Sequence, residues 1–266
     1  MAVVREAGIV LEARGLNKSF GAVTAAADIN VAVERDSVVG LIGSNGAGKT
    51  TFINMVTGYL KPGSGSIVFG SRDITPLAPR QITRLGICRS FQIPQLFNTL
   101  SVYENLRVGV GIVASGGRKW ADASRHAGTP GETVDSILER FNLTGYRDKQ
   151  AGVLPEGVRK LLDIAMAMAV KPKILLLDEP TSGVSADEKF GLMDMVMEAV
   201  RAQQVTVLFV EHDMDIVNRY THRVLAFYEG RIIADGEPGI VLDDAEVRKY
   251  VTGEARAAGG GKHATH

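Results

Sequence analysis

The sequence predicts an α/β core interrupted in its middle by a helical lobe, and three observations predict it. The apolar run VVGLIG passes through a glycine-rich turn into the helical segment TTFINMVTGYL, the strand–turn–helix order of an α/β unit. Two further apolar runs, KILLLD and VTVLFV, are each followed by a helical segment, SADEKFGLMDMVMEAVRAQ and DMDIVNRY. Between these alternating stretches, from about Ser101 to Lys171, the pattern turns mostly helical.

The remaining elements fall into place in chain order. From Ile9 to about Val33 the reading is short strands, IVLEARGLN and then DINVAV with alternating apolar residues. LKPGSGSIVFG is turn and strand, and LAPRQITRLG is a short helix opening near a proline. SVYENLRVGV, TVDSILERFNL and PEGVRKLLDIAMAMAV predict three helices, the first two separated by a peripheral excursion from Gly109 to Gly131. The strands THRVLAFYEG and RIIADG and a short helix around Ala245–Tyr250 close the core, and ARAAGGGKHATH reads as a disordered tail.

Composition sets the limits. Hydrophobic residues make up 45% of the 266, enough for a large buried core. The 30 basic and 30 acidic residues cancel, which argues against a general nucleic-acid binder and against self-anchoring on an anionic membrane. The single cysteine, Cys88, is expected to be a small buried hydrophobe in a reducing compartment. Arg5, Glu6, Glu12 and Arg14 interrupt the amino-terminal apolar stretch, so it does not read as a signal peptide. No apolar run approaches the ~18 residues of a membrane span.

Gly43-Ser44-Asn45-Gly46-Ala47-Gly48-Lys49-Thr50 fits G-x-x-x-x-G-K-[ST] at every fixed position, after a buried strand and before a helix. Glycines let backbone N–H groups turn inward around phosphates, and the helix start adds a positive dipole end. Lys49 is expected to reach the β- and γ-phosphates, and the Thr50 hydroxyl to ligate Mg²⁺. Alone, such a loop establishes nucleotide binding and nothing finer, since kinases and GTPases carry it too.

Ile174–Glu179 is an apolar strand ending in two carboxylates, where ligands of parallel sheets gather. Asp178 would hold Mg²⁺, and Glu179 would act as general base on the attacking water; in isolation such a pair can also be a solvated turn. Val205–Val210 is followed by Glu211-His212-Asp213, which puts His212 near the same edge to contact the γ-phosphate.

Together these motifs resemble the ATP-binding cassette (ABC) family from about Ile9 to Gly253. The resemblance implies a P-loop NTPase cassette: a RecA-like α/β core with an antiparallel β subdomain (about 9–92 and 172–253), an inserted helical subdomain (about 93–171) and a flexible tail (254–266). It implies ATP and Mg²⁺ as cofactors. Phe20, in LNKSFGAV, resembles the adenine-stacking aromatic, and Gln92, in RSFQIPQLF, the glutamine that touches Mg²⁺ and senses the γ-phosphate. The same resemblance adds Thr51 to the nucleotide contacts and identifies His212 as the family's switch histidine. Ser182-Gly183-Val184-Ser185 occupies the D-loop, with Ser185 where an aspartate is usual.

The signature departs from the family's L-S-G-G-Q: this chain has Leu154-Pro155-Glu156-Gly157-Val158, then Arg159-Lys160. In the family this turn caps the γ-phosphate held by a second ATPase. Pro155 lacks both hydroxyl and N–H, and Glu156 carries negative charge, so the site it completes is expected to be the weaker one. That favours a heterodimer of unlike ATPases over a homodimer.

Within the family the chain looks like the first of the two ATPases of branched-chain amino acid importers, on VVREAGIVLEARGLNKSFGAVTAAADINV, RSFQIPQLFNTLSVYENL, the excursion after Val108 and the serine-free signature. Related importers of amides, urea or aromatic acids carry similar subunits. The likeness implies integral-membrane permease partners, a periplasmic binding protein acting indirectly, and a peripheral position on the cytoplasmic face of the membrane. Leu96 and Phe97 are read either as anchors for a permease helix or as packing within the helical lobe. A non-transport ABC ATPase and a P-loop small-molecule kinase are the competing classes; the single cassette and zero net charge weigh against the first, and the signature-like turn against the second.

Overall fold

In the computed structural model, which describes residues 8–114 and 133–253, the amino-terminal strands pair into a long hairpin. β1 (Ile9–Phe20) and β2 (Val23–Glu34) are antiparallel over twelve residues each, longer than the short strands expected. Side-chain amides carry the pairing across its irregularities. Asn17 Oδ1 accepts the Asp28 N–H at 2.9 Å, and Asn30 Oδ1 accepts the Gly15 N–H at 2.7 Å. Backbone groups orphaned by the bulges are thereby satisfied, and the strands continue.

β3 (Val38–Gly43) leads through the glycine-rich loop into α1 (Lys49–Val56). β4 (Ser64–Phe69) and β5 (Arg72–Asp73) join the hairpin in a sheet of order β2-β1-β4-β5. α2 (Pro79–Leu85) starts at a proline and stops at Gly86, and β6 (Ile87–Ser90) follows. α3 (Val102–Ala114), α4 (Val134–Arg140) and α5 (Glu156–Ala169) are the three expected helices. The expected excursion from Gly109 begins as helix, because α3 runs on to Ala114; Gly109 faces Met166 and Ala169 of α5, where the missing side chain allows close approach. The rest of the excursion, like the tail from residue 254, lies outside the described residues.

β7 (Ile174–Asp178), α6 (Ala186–Gln203), β8 (Thr206–Val210), α7 (Met214–Tyr220), β9 (Arg223–Tyr228) and β10 (Arg231–Gly236) complete the α/β alternation. α8 (Pro238–Asp243), which the sequence reading did not foresee, precedes α9 (Ala245–Val247) and a π turn over Arg248–Thr252. The second sheet has the order β10-β9-β3-β8-β7-β6, parallel throughout except at β10.

Two cores follow from strand alternation. Leu41, Leu176, Leu208 and Leu225 face the antiparallel sheet and α1; Ile42, Leu175, Leu177, Val207 and Phe209 face the helices. A strand covered on both sides reads as an unbroken apolar run, and each buried side chain contributes about 1.5–3 kcal/mol. Cys88, on β6, is buried in the second core, and desolvation pushes its thiol up to about 12. It behaves as a hydrophobe.

Candidate functional site

The carboxyl ends of β3, β6, β7 and β8 deliver the candidate residues to one edge of the parallel sheet. At β3 the chain turns through Gly43–Gly48. A Cβ on Gly43 would lie 2.5 Å from the Phe227 carbonyl, and one on Gly48 2.6 Å from the Ala25 carbonyl, so only glycine lets the loop lie this close to β9 and β2. Gly48, with φ +109°, is the residue before α1. The peptide of Gly230, between β9 and β10, ties the parts together: its N–H donates to the Ala47 carbonyl at 2.9 Å and its C=O accepts from Ala27 at 2.8 Å.

Lys49, the first residue of α1, is buried. Its Nζ donates to the Gly43 carbonyl at 2.5 Å and the Ser44 carbonyl at 3.1 Å. Burial lowers its pKa, against the opposing pull of Glu179 and Asp178. Ser44, Asn45, Gly46 and Thr50 are exposed, Thr51 is half-buried and Ala47 is buried. The loop therefore presents backbone and hydroxyl groups around a desolvated ammonium, a donor set suited to phosphate. Phe20 ends β1 with half its surface exposed, three residues from Val23 on the strand whose Ala25 borders the loop. Lys18 Nζ lies 5.6 Å from its ring centroid.

Asp178 ends β7, buried, and its Oδ2 accepts from Arg89 Nη2. Arg89 Nη1 donates to Asn54 Oδ1 on α1 at 2.7 Å, and its guanidinium lies 5.0 Å from the Phe91 ring centroid. Glu179 follows with φ +50°. Its carboxylate is the meeting point of the site: Gln92 Nε2 donates to Oε2 at 2.8 Å, and His212 Nε2 lies 3.1 Å from Oε1. Three residues from three separate strand ends are thus brought together, Gln92 and His212 each on the Glu179 carboxylate. The hard oxygen donors of Asp178, Thr50 and Gln92 suit Mg²⁺ by chemistry.

Four residues that the sequence reading did not single out hold this constellation. Arg89 pairs with Asp178. Lys160 Nζ donates to the Glu179 carbonyl at 2.7 Å. Asp163 accepts the Phe91 N–H at 3.2 Å and the Gln95 N–H at 3.0 Å, and desolvation raises its carboxyl to about 6. Glu211 Oε1 accepts from the Thr181 N–H at 3.0 Å and hydroxyl at 2.6 Å. Lys160, Asp163 and Glu211 are buried and Arg89 is partly so; that burial marks them in the structure, and no local sequence pattern announces it.

The signature turn lies apart from the Glu179 carboxylate's own partners. Leu154 is buried, Pro155 precedes α5 without a side-chain cap, and exposed Glu156 lies 3.9 Å from Arg159. Gly157 faces Val184, and Gly183 faces Glu156, so the turn rests on the D-loop of the same chain. Ser185 sits at the N-cap position of α6 and donates to Glu188 at 2.8 Å. The two readings of Leu96 and Phe97 divide: Leu96 packs against the core, whereas Phe97 is half exposed and Ile93 more so.

Residues 26–182 match the family model described as ABC transporter. The high-affinity branched-chain amino acid transport ATP-binding protein BraF of Pseudomonas aeruginosa is 35% identical over 252 residues, covering 92% of this chain and 98% of that protein. The probable branched-chain amino acid transport ATP-binding protein LivG of Archaeoglobus fulgidus is 35% identical, with 92% and 95% covered. Among solved structures, MJ1267, an ATP-binding cassette of an ABC transporter, superposes with a TM-score of 0.77 at 32% identity, covering 91% of this chain and 98% of that one.

Proposed function

The chain belongs to the ABC transporter family as an ATP-binding subunit, and from that premise we propose that it hydrolyses ATP to drive an importer of branched-chain or other hydrophobic amino acids or amides. The observation that carries the hydrolytic reading is the convergence of Gln92 and His212 on the Glu179 carboxylate, beside Asp178 and with buried Lys49 in its field. The cargo is argued from the relatives, whose names specify branched-chain amino acid transport.

In this reading Phe20 stacks on adenine, and the Gly43–Thr50 loop with Thr51 wraps the phosphates. Lys49 exchanges the Gly43 and Ser44 carbonyls for β- and γ-phosphate oxygens, a stronger charge-assisted pairing. Thr50, Asp178 and Gln92 would hold Mg²⁺, which when bound would offset the charge on the phosphate oxygens. Gln92 must then release Glu179 Oε2, which becomes available to water. Glu179 takes a proton from that water as its oxygen attacks the γ-phosphorus; the bond to the β-phosphate oxygen breaks, and ADP and phosphate leave. His212, beside Oε1, orients the carboxylate and contacts the γ-phosphate.

A second ABC ATPase would complete the site with its own signature, while Leu154–Gly157 here would face the partner's nucleotide; the serine-free turn supports unlike partners. The helical insertion, about 93–171, would receive the permease, with exposed Phe97 at its surface. No helix among the described residues is long and apolar enough to cross a membrane, which fits attachment to the cytoplasmic face through permease subunits. A periplasmic binding protein would deliver cargo to that complex.

The test is reconstitution in proteoliposomes with the permease and ATPase subunits that co-purify with the chain. ATP-dependent uptake of leucine, isoleucine and valine supports the reading in full. Uptake of urea or aromatic acids instead overturns the cargo, and absence of ATP binding by the folded chain overturns the motor.

A further inference from the structure

Helix α5 runs from the signature turn into the core, packing on β6, β7, α3 and α6. On its buried face Lys160 and Asp163 stand three residues apart, 4% and 8% exposed, among Leu161, Leu162, Ile164 and Ala165. Charges in such surroundings are costly, and apolar side chains would serve packing better. Both spend their hydrogen bonds on the backbone of the reaction centre.

We propose that Lys160 and Asp163 are positioning residues, which set the mutual geometry of Gln92 and Glu179 by holding the backbone of each. Glu179 occupies a left-handed backbone conformation, φ +50°, that a glutamate keeps only when its surroundings hold it there. Two bonds do so: its N–H donates to the Val210 carbonyl at 3.0 Å, and its own carbonyl accepts from Lys160 Nζ at 2.7 Å. Gln92 lies between β6 and α3 in a segment with no regular structure of its own. The Asp163 carboxylate spans it, taking the Phe91 N–H on Oδ2 and the Gln95 N–H on Oδ1. One turn of helix therefore carries an anchor for each partner of the 2.8 Å Gln92–Glu179 contact. In catalysis a misplacement of about 1 Å can cost roughly 10²-fold.

The inference rests on the reading of Glu179 as general base, so Glu179→Gln and Gln92→Ala are measured beside Lys160→Met and Asp163→Asn. The assembled transporter is assayed for kcat and KM, and the chain for ATP affinity and Tm. Lys160→Met removes the donor. Asp163→Asn replaces an acceptor with an amide N–H facing another N–H. Each is expected to lower kcat at least ~10-fold while ATP affinity stays within about twofold of wild type, as a loss confined to the transition state requires. Lys160→Arg and Asp163→Glu, which keep the donor and the paired acceptors, recover most of the rate. Asp163→Asn adds nothing in a Gln92→Ala background, because both act through one side chain.

Unchanged kcat in both variants while Glu179→Gln is inactive overturns the proposal and leaves the reading of the site intact. Losses that add in the Gln92→Ala background, or that track Tm and ATP affinity alike, also overturn it. An active Glu179→Gln instead overturns the reading on which it rests. Should Lys160→Met and Asp163→Asn fail to fold, hydrogen exchange of the wild-type chain decides: amides of Phe91 and Gln95 protected above their neighbours support the clamp, and free exchange at both removes it.

Discussion

The loop at 43–50 and the turn at 154–157 both lead into helices, α1 and α5, yet they are built from different resources. The loop has a lysine held inside it, glycines where neighbouring carbonyls leave no room for a Cβ, and a bond from Gly230 that fixes its back. The turn has a proline at the helix start with no side-chain cap, and an exposed glutamate near Arg159. One surface is equipped to bind phosphate with its own groups; the other offers a glycine and a helix dipole. A chain so made is expected to bind ATP well and to complete a neighbour's site poorly.

That contrast can be broken most directly at Glu179. In the assembled transporter, Glu179→Gln should lower ATP turnover by roughly 10²–10⁴-fold; near wild-type turnover would place the working site elsewhere. Next in size, Lys49→Met should raise the Kd for ATP roughly 10- to 100-fold, the range for hydrogen bonds to charged groups, about 1.5–3 kcal/mol. Isothermal titration calorimetry measures it, and an unchanged Kd would mean that the loop does not grip. Repairing the turn sharpens the contrast from the other side. Pro155→Ser with Glu156→Gly restores a hydroxyl and one N–H, removes a negative charge, and should raise turnover two- to tenfold, about 0.5–1.5 kcal/mol; no gain would show that the turn is not limiting. The smallest effect belongs to Phe20. Phe20→Ala should weaken ATP binding by about 1 kcal/mol, roughly fivefold, the low end for base–aromatic stacking, and leave kcat at saturating ATP unchanged.

The parts of the site legible in sequence are those whose partners are close along the chain or whose place follows from a strand end. Gly43–Thr50 needs only the strand before and the helix after. Asp178-Glu179 and His212 are found because apolar runs deliver them to the same edge. The clamps were hidden for the opposite reason. Asp163 meets Phe91 across 72 residues, and Arg89 meets Asp178 across 89, in bonds no local pattern encodes. On a helical period Lys160 and Asp163 read as ordinary polar positions; burial identifies them, and burial is a tertiary property. The long hairpin was underestimated likewise, because Asn17 and Asn30 act as backbone substitutes at its bulges. In α3 the pattern weakened at Gly109, where close contact with α5 outweighs helix propensity.

Gly230 has φ +76°, and a Cβ there would lie 3.0–3.1 Å from the backbone of Ala25, Ala26 and Thr24. A residue without a side chain thus sits where the hairpin that carries Phe20 meets the loop that carries Lys49, bonded to both. If Phe20 holds the purine and the loop the triphosphate, as proposed, a larger residue would act as a wedge between the two, parting the purine end from the triphosphate end. Such a change would separate recognition of adenosine from recognition of its phosphates, with every contacting side chain still in place.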